Sequence, residues 1–191
     1  MRKLIARVFT YSLDGVADAE EGNQYMEFCQ RVWAADQSVL DPMAELYLRA
    51  HAIIMGRVAY EEMAGAFAPG GTQTGHPWAG MFNAAPKVVF SRTLKTTGWA
   101  NSTIADGDTA EEIDKLRQDG DGHIVVYGGF SFWQSLMRLD LIDVFYLSLY
   151  PYVAGEGRRL FENVGKHVQF DLVSSMTMSN GQVELEYQRH R

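Results

Sequence analysis

The chain has 191 residues, 47% of them apolar and 12% aromatic, which suits one folded domain over 1–191 and excludes disorder as a global description. Its 24 acidic against 17 basic residues give a formal charge of −7, which argues against a general nucleic-acid binder but leaves room for a local basic pocket. A single cysteine, Cys29, cannot form an internal disulfide, and no apolar run approaches the roughly 18 residues of a membrane helix, so a cytoplasmic, reducing setting is expected.

In chain order, Leu4 to Tyr11 reads as a first strand, ended by the turn-forming pair Asp14-Gly15. Residues 23–35 place Tyr25/Met26, Cys29 and Val32/Trp33 at helical spacing. Asp41-Pro42 then reads as an N-cap and first helical residue for a short helix through about Arg49. Ala52–Met55 is a continuously apolar strand, buried on both faces, which runs straight into Gly56-Arg57 and the helical pattern Val58–Ala66. Residues 68–77 (APGGTQTGHP) form a long loop, suited to mobility. Lys87–Ser91 is the next strand, and a polar stretch follows to Asn101.

Thr109-Ala110-Glu111-Glu112 reads as a capping box for a helix through about Gln118. Ile124–Tyr127 is another buried-type strand, stopping at Gly128-Gly129. After it come a helix burying its Phe132, Leu136 and Leu139 side and the strand Val144–Leu149. Two late runs, Gln169–Met178 and Gln182–Gln188, are joined by the hairpin signal Asn180-Gly181. Strands alternating with helices, then a hairpin, predict an α/β fold: a central, mostly parallel mixed sheet flanked by helices, with antiparallel strands at its edge.

Two junctions share one design, a buried strand running into glycine and then a helix: Ile54-Met55-Gly56-Arg57 and Val126-Tyr127-Gly128-Gly129. Glycine lets a phosphate approach the backbone, and the free N–H groups at a helix start attract the anion. Spacing alone leaves ordinary tight strand–helix turns open as an equal reading. A third strand end, Phe90-Ser91-Arg92-Thr93, offers a hydroxyl and a guanidinium together. Arg57 and Arg92 could hold phosphate through charge-assisted bonds, although exposed arginines are more often solvated surface. Three such ends in one sheet imply a ligand with several phosphates.

These residues also carry a resemblance. Met55-Gly56-Arg57-x-x-Tyr60-Glu61, Phe90-Ser91-Arg92-Thr93-Leu94 and Gly128-Gly129 resemble the three NADPH-binding segments of the dihydrofolate reductase fold, a three-layer sandwich. More narrowly, Ser12-Leu13-Asp14-Gly15, Asn101-Ser102-Thr103 with Gly107-Asp108, Leu141-Ile142-Asp143, Pro151 and Gly155-Glu156-Gly157-Arg158-Arg159-Leu160-Phe161 are similar, in order, to the C-terminal reductase domain of the bifunctional riboflavin-biosynthesis deaminase/reductase. The deaminase half, with its His/Cys zinc signature, has no counterpart here, so the chain resembles the freestanding bacterial reductase-like proteins.

The resemblance implies NADPH as cofactor and a role for each position. Gly56 and Arg57 would face its phosphates, with Ala59 where dihydrofolate reductases commonly carry a threonine. Ser91 and Arg92, with Thr93 beside them, would hold the adenosine 2′-phosphate. Gly128 and Gly129, after Tyr127, would sit against the pyrophosphate, and Phe130 and Ser131 would lend backbone N–H groups. Thr10 and Gly15 would border the nicotinamide, with Asp14 fixing the turn around it.

The candidate catalytic residues are Asp14 and Asp41. Asp41 stands fifteen positions before Gly56, near the place of the carboxylate with which dihydrofolate reductases grip the pterin, but Pro42 behind it favours the cap reading. Asp36 and Glu45 are further candidates. The five histidines lie far apart, without paired metal-ligand spacing, so no metal is expected. Trp78, in the long loop, is the tryptophan least readily explained as core.

The leading expectation is an NADPH-dependent reductase acting on a small pterin-like or ribosylaminopyrimidine-like substrate. The rivals are a non-catalytic NADP(H)-binding protein and a flavin- or folate-binding protein on the same fold. The resemblance also implies a homodimer through the C-terminal strands, which would otherwise leave sheet edges uncovered.

Overall fold

Runs of Ile, Val and Leu with no polar alternation are satisfied only as strands covered on both faces, and three of them form the middle of the sheet. The structure, a computed structural model, describes residues 1–20, 22–35, 40–118, 121–165 and 167–190, without the side chains of 33–35 and 40–43. The elements in chain order are β1 (Leu4–Tyr11), β2 (Val16–Asp18), α1 (Gln24–Ala35), α2 (Leu40–Leu48), β3 (Ala50–Gly56), α3 (Arg57–Phe67), α4 (Ala79–Ala84), β4 (Lys87–Phe90) and β5 (Ser102–Ile104). They continue with α5 (Thr109–Arg117), β6 (His123–Tyr127), α6 (Phe130–Arg138), β7 (Val144–Leu149), β8 (Arg158–Arg159), β9 (Phe170–Thr177) and β10 (Val183–Arg189).

Eight strands form one sheet in the order β5-β4-β3-β6-β1-β7-β10-β9. The first six run parallel, while β10 is antiparallel to both β7 and β9. Alternation along the strands divides the apolar side chains between two faces. On one face Leu4, Ala6, Val8, Ile54 and Val126 pack with Ile113 of α5 and Trp133 and Leu136 of α6. On the other, Ile53, Met55, Val89 and Val125 pack with Tyr47 of α2, Tyr60 and Met63 of α3 and Phe82 of α4. Burying each such aliphatic side chain contributes about 1.5–3 kcal/mol. The result is the expected three-layer sandwich, with α1 set aside in a smaller cluster of Tyr25, Cys29, Val16 and Tyr150.

Four local expectations change. The 68–77 loop runs into a helix, α4, whose C-terminal carbonyls are met by the ammonium of Lys87: Nζ donates to Phe82 O and Ala85 O, both at 2.7 Å. The polar stretch after β4 ends in a short strand, β5, paired with β4. The cap of α5 is Asp108, whose side chain accepts from Ala110 N at 2.9 Å; Thr109 is the first helical residue. The terminal hairpin turns through three residues, with Gly181 N donating to Met178 O at 3.0 Å and Gly181 at φ +82°; Asn180 stays at negative φ. This is a three-residue hairpin loop closed by a left-handed glycine.

One buried ion pair ties the layers together. Asp143, just before β7, accepts at Oδ2 from Leu4 N at 2.9 Å and from Arg117 Nη2 at 2.8 Å, so the start of β1 and the end of α5 share one carboxylate. Both side chains are about nine-tenths buried. Asp143→Ala would leave Arg117 the Leu141 carbonyl and the exposed Asp114 carboxylate, 3.9 Å from its Nη1, in place of its buried partner, and urea unfolding should report a loss of about 3 kcal/mol. Removing both charges, as Arg117→Met with Asp143→Leu, should lose less than the single change.

Candidate cofactor site

The site is built at the carboxyl ends of adjacent parallel strands, where open α/β sheets place their ligands. β3 pairs with β6 in the register Ile54↔Val126, and with β4 in the register Gly56↔Phe90. Two residues past Ile54 and Val126, Gly56 and Gly128 therefore end neighbouring strands at one level. Gly128 (φ +54°) and Gly129 (φ +83°) adopt left-handed backbone. A Cβ on Gly129 would lie 3.6 Å from Phe132 Cβ, 3.8 Å from Ala59 Cβ and 3.9 Å from Gly56 N, so the two junctions touch.

Gly56 and Gly129 are the N-caps of α3 and α6, and neither helix start is closed by a side chain. Phe132 N and Trp133 N both donate to Gly129 O, at 2.8 and 3.0 Å, which leaves the N–H groups of Phe130 and Ser131 at the open end of α6. Ala59, 4% exposed, lies beneath the turn, 3.6 Å from where a Gly128 Cβ would stand. The small side chain gives the turn its seat and carries no hydroxyl to offer a phosphate.

Past β4, a cleft of about 680 Å³ is lined by Ser91, Arg92, Lys95 and Asp106, with Phe90 and Phe132 in its wall. Ser91 Oγ accepts from Thr93 N at 3.2 Å and Leu94 N at 3.0 Å, which bends the chain so that Arg92 is exposed at the mouth. The Thr93 hydroxyl lies 3.4 Å from Ser91 Oγ. Lys95 did not emerge from the sequence, although its spacing of three from Arg92 at a strand end was a usable signal. Arg57 turns along its own helix instead: Nη1 donates to both carboxylate oxygens of Glu61, at 3.1 and 2.9 Å.

The loop after β1 is clamped from the far end of the chain. Thr10 is buried, its Oγ1 donating to Ala17 O at 2.8 Å. Asp14 accepts from Ser12 Oγ at 2.6 Å, Ala154 N at 2.9 Å and Gly155 N at 3.0 Å, and Arg159 Nε donates to Asp14 O at 3.1 Å. Leu160 N donates to Gly15 O at 3.0 Å, with Gly15 at φ +84°. The short β2–β8 ribbon continues the clamp. Gly157 (φ +120°) permits it, because a Cβ there would fall 2.6 Å from Val16 Cγ1 and 2.9 Å from Asp18 O. The Ser12 hydroxyl first, and then the Ala154 N–H, hold the Asp14 carboxyl down at about 2. At neutral pH this group is an ionised brace.

Tyr127, at the end of β6, is packed among Phe9 (5.6 Å between ring centroids), Phe82 (5.7 Å) and Tyr47 (6.0 Å). Burial, and then the Glu62 charge, push its hydroxyl up to about 12. Trp78 joins the same cluster, 6.5 Å from Phe9, and His76 Nδ1 accepts from its backbone N–H at 3.1 Å. The tryptophan of the long loop is thus part of an aromatic wall.

Among the expected acids, Asp41 has its backbone in the first turn of α2, which begins at Leu40, and its side chain lies outside the described residues. Asp36 is also outside them. Glu45 is exposed, 3.5 Å from Arg49, in a groove at the starts of β3 and β6 and so at the wrong end of the strands for the glycine junctions.

Asp14 gives the clamp a pH signature. Its folded carboxyl sits at about 2, below the ordinary 3.8, so its contribution is present above that ordinary value and is lost as pH falls towards 2. Urea unfolding of Asp14→Asn should show the largest deficit against the unmodified protein above about pH 4, with the gap closing near pH 2.

Comparison with known proteins gives this geometry relatives. "Uncharacterized protein YyaP" of Bacillus subtilis (strain 168) is 35% identical over 108 residues, a span of 56% of this chain and 56% of that protein. The chain therefore matches little more than half the length of this curated relative. A Shewanella sp. PV-4 protein assigned to riboflavin biosynthesis has the same fold over 100% of both chains (TM-score 0.75, 20% identity). So has the diaminohydroxyphosphoribosylaminopyrimidine deaminase/5-amino-6-(5-phosphoribosylamino)uracil reductase of Thermotoga maritima, over 99% of this chain and 57% of that one (TM-score 0.64, 16% identity). Dihydrofolate reductase from Enterococcus faecalis, solved with NADP(H), aligns over 99% of this chain and 97% of its own (TM-score 0.56, 15% identity). The model of the RibD C-terminal domain matches residues 2–183, and with the sandwich, the paired glycine junctions and the Asp14 clamp in one ordered set, the chain belongs to the RibD C-terminal domain family.

Proposed function

We propose that the chain is an NADPH-dependent oxidoreductase whose residues 1–191 work as one reductase domain. The observation that carries this reading is the meeting of Gly56 and Gly128-Gly129 at the ends of paired strands, one strand away from a cleft holding Ser91, Arg92 and Lys95. A dinucleotide with a third phosphate needs that separation: a cradle for the central diphosphate and a cationic pocket to one side. The cradle fits, because Gly128 and Gly129 turn through left-handed backbone and the helix starts after Gly56 and Gly129 are closed by no side chain.

When bound, the cofactor supplies a hydride, and the protein's contribution is orientation. In this reading Phe130 and Ser131 N–H groups meet the diphosphate, and Arg92 with Lys95 meets the 2′-phosphate. Asp14, ionised and bracing, holds the 12–18 loop at the nicotinamide end and acts as a positioning residue. The aromatic wall of Phe9, Trp78 and Tyr127 suits a planar heterocycle. A ribosylaminopyrimidine or a pterin is the substrate class, in keeping with the reductase named for the Thermotoga maritima relative.

We also assign a homodimer to the β9 edge. Leu172 and Val173 are each 53% exposed and Met176 44%, on a strand that, among the described residues, pairs with β10 alone. A cytoplasmic enzyme is the matching setting; no described helix is long and apolar enough to cross a membrane.

Calorimetry with NADPH and NADH tests the cofactor. NADPH should bind at least about tenfold more tightly, and Arg92→Ala should weaken NADPH by about tenfold while leaving NADH unchanged. Equal or absent binding of both nucleotides would sink the reading. Light scattering at micromolar concentration should give twice the chain mass, and a monomer would remove the dimer.

A further inference from the structure

The β2–β8 ribbon carries one cation to the open end of α6. Arg158 stands opposite Asp18 in the antiparallel pairing of β8 with β2, and its Nη2 forms an ion pair with the Asp18 carboxylate. Its guanidinium carbon lies 4.7 Å from the ring centroid of Phe130, the residue that follows Gly128-Gly129 and opens α6. An arginine poised over an aromatic face keeps the donors on its edge available, and their fork matches phosphate oxygens. The side chain is more than half exposed, so an incoming anion can reach it. Gly157, which cannot bear a Cβ without striking Val16, fixes the strand that delivers Arg158 to this point.

We propose that Arg158 is a cofactor-binding residue that grips the diphosphate bridge of the dinucleotide from the side opposite the Phe130 and Ser131 N–H groups. The proposal rests on the dinucleotide reading above and adds to it a residue from the C-terminal third of the chain. Asp18 engages Nη2 only until a phosphate displaces it, and an ion pair this open to water costs little to give up. The same ribbon anchors the loop of Thr10 to Asp18, so a diphosphate held by Arg158 is held by the segment that braces the nicotinamide end.

Three ligands and two variants of the full chain separate this role from its alternatives: NADPH, NADH and adenosine 2′-monophosphate, which carries the 2′-phosphate and neither phosphate of the bridge. By calorimetry, Arg158→Ala should weaken NADPH and NADH by the same factor, about tenfold, and leave adenosine 2′-monophosphate unchanged. Asp18→Asn breaks the same ion pair but keeps the guanidinium, and should bind both dinucleotides within about twofold of the unmodified protein or more tightly. The proposal is overturned if Arg158→Ala stays within twofold for both dinucleotides, or if it loses adenosine 2′-monophosphate equally. It is also overturned if Asp18→Asn reproduces the loss, which would make the ribbon's integrity the cause. Binding of the dinucleotides by the unmodified protein with no effect of Arg158→Ala removes this inference alone, whereas no binding by the unmodified protein removes it together with the cofactor reading.

Discussion

The parallel ladder between β3 and β6 fixes everything at the candidate site. Its register places Ile54 beside Val126, and the two strands then run out together into Gly56 and Gly128. A one-residue slip would turn the alternating side chains to the opposite faces and separate the two glycines. The ladder is held by side chains that exclude water entirely: Ile53, Ile54, Met55, Ile124, Val125 and Val126 are all at 0% exposure. Hydrophobic burial is non-directional, but alternation across a strand converts it into a register, and the register brings two helix starts within contact of one another.

A second constraint works at longer range. The loop after β1 has little apolar surface of its own to bury, so it is ordered by polar contacts with a segment about 140 positions away: Asp14 with Ala154, Gly155 and Arg159, and Gly15 with Leu160. Such an arrangement works only if the distant segment is itself fixed. Leu160 is fully buried in the face that also holds Trp133 and Phe145, which anchors one end of that segment. The motif Gly155–Phe161 is therefore a strap: a buried leucine as root, a glycine at the point of closest approach, and two arginines aimed at two aspartates.

Much of this was legible in the amino-acid sequence because burial writes itself as composition. The boundaries of β1 and β7 follow directly from apolar runs ended by turn residues, and the order of strands and helices follows from their alternation. What was hidden depends on tertiary context. The helix α4 has only six residues and no side-chain cap, and the distant ammonium of Lys87 meets the carbonyls at its end. The strand β5 is three partly polar residues that exist because β4 offers an edge. At the site, the glycines were visible because strand–Gly–helix is a local pattern. The roles proposed for Lys95 and Arg158 were not visible, because nothing local distinguishes a lysine in a polar stretch, or an arginine after Gly157, from solvated surface.

A net of −7 is compatible with the phosphate site proposed above, because of how the charges are paired. Cations near the cradle are not free charges. Arg57 is bonded to Glu61 and Arg158 to Asp18, both at positions open to water. An exposed ion pair of this kind contributes only about 0.2–1 kcal/mol, because water screens it and two flexible side chains must be ordered to make it. A phosphate that accepts charge-assisted bonds from two N–H groups and a guanidinium offers about 1.5–3 kcal/mol per bond in less hydrated surroundings. In the dinucleotide reading proposed above, the acidic partners would act as holders that the ligand outcompetes, keeping each arginine near its place. A site with the same arginines and no aspartate or glutamate beside them would be more cationic at rest and less selective for a ligand whose phosphates match its spacing.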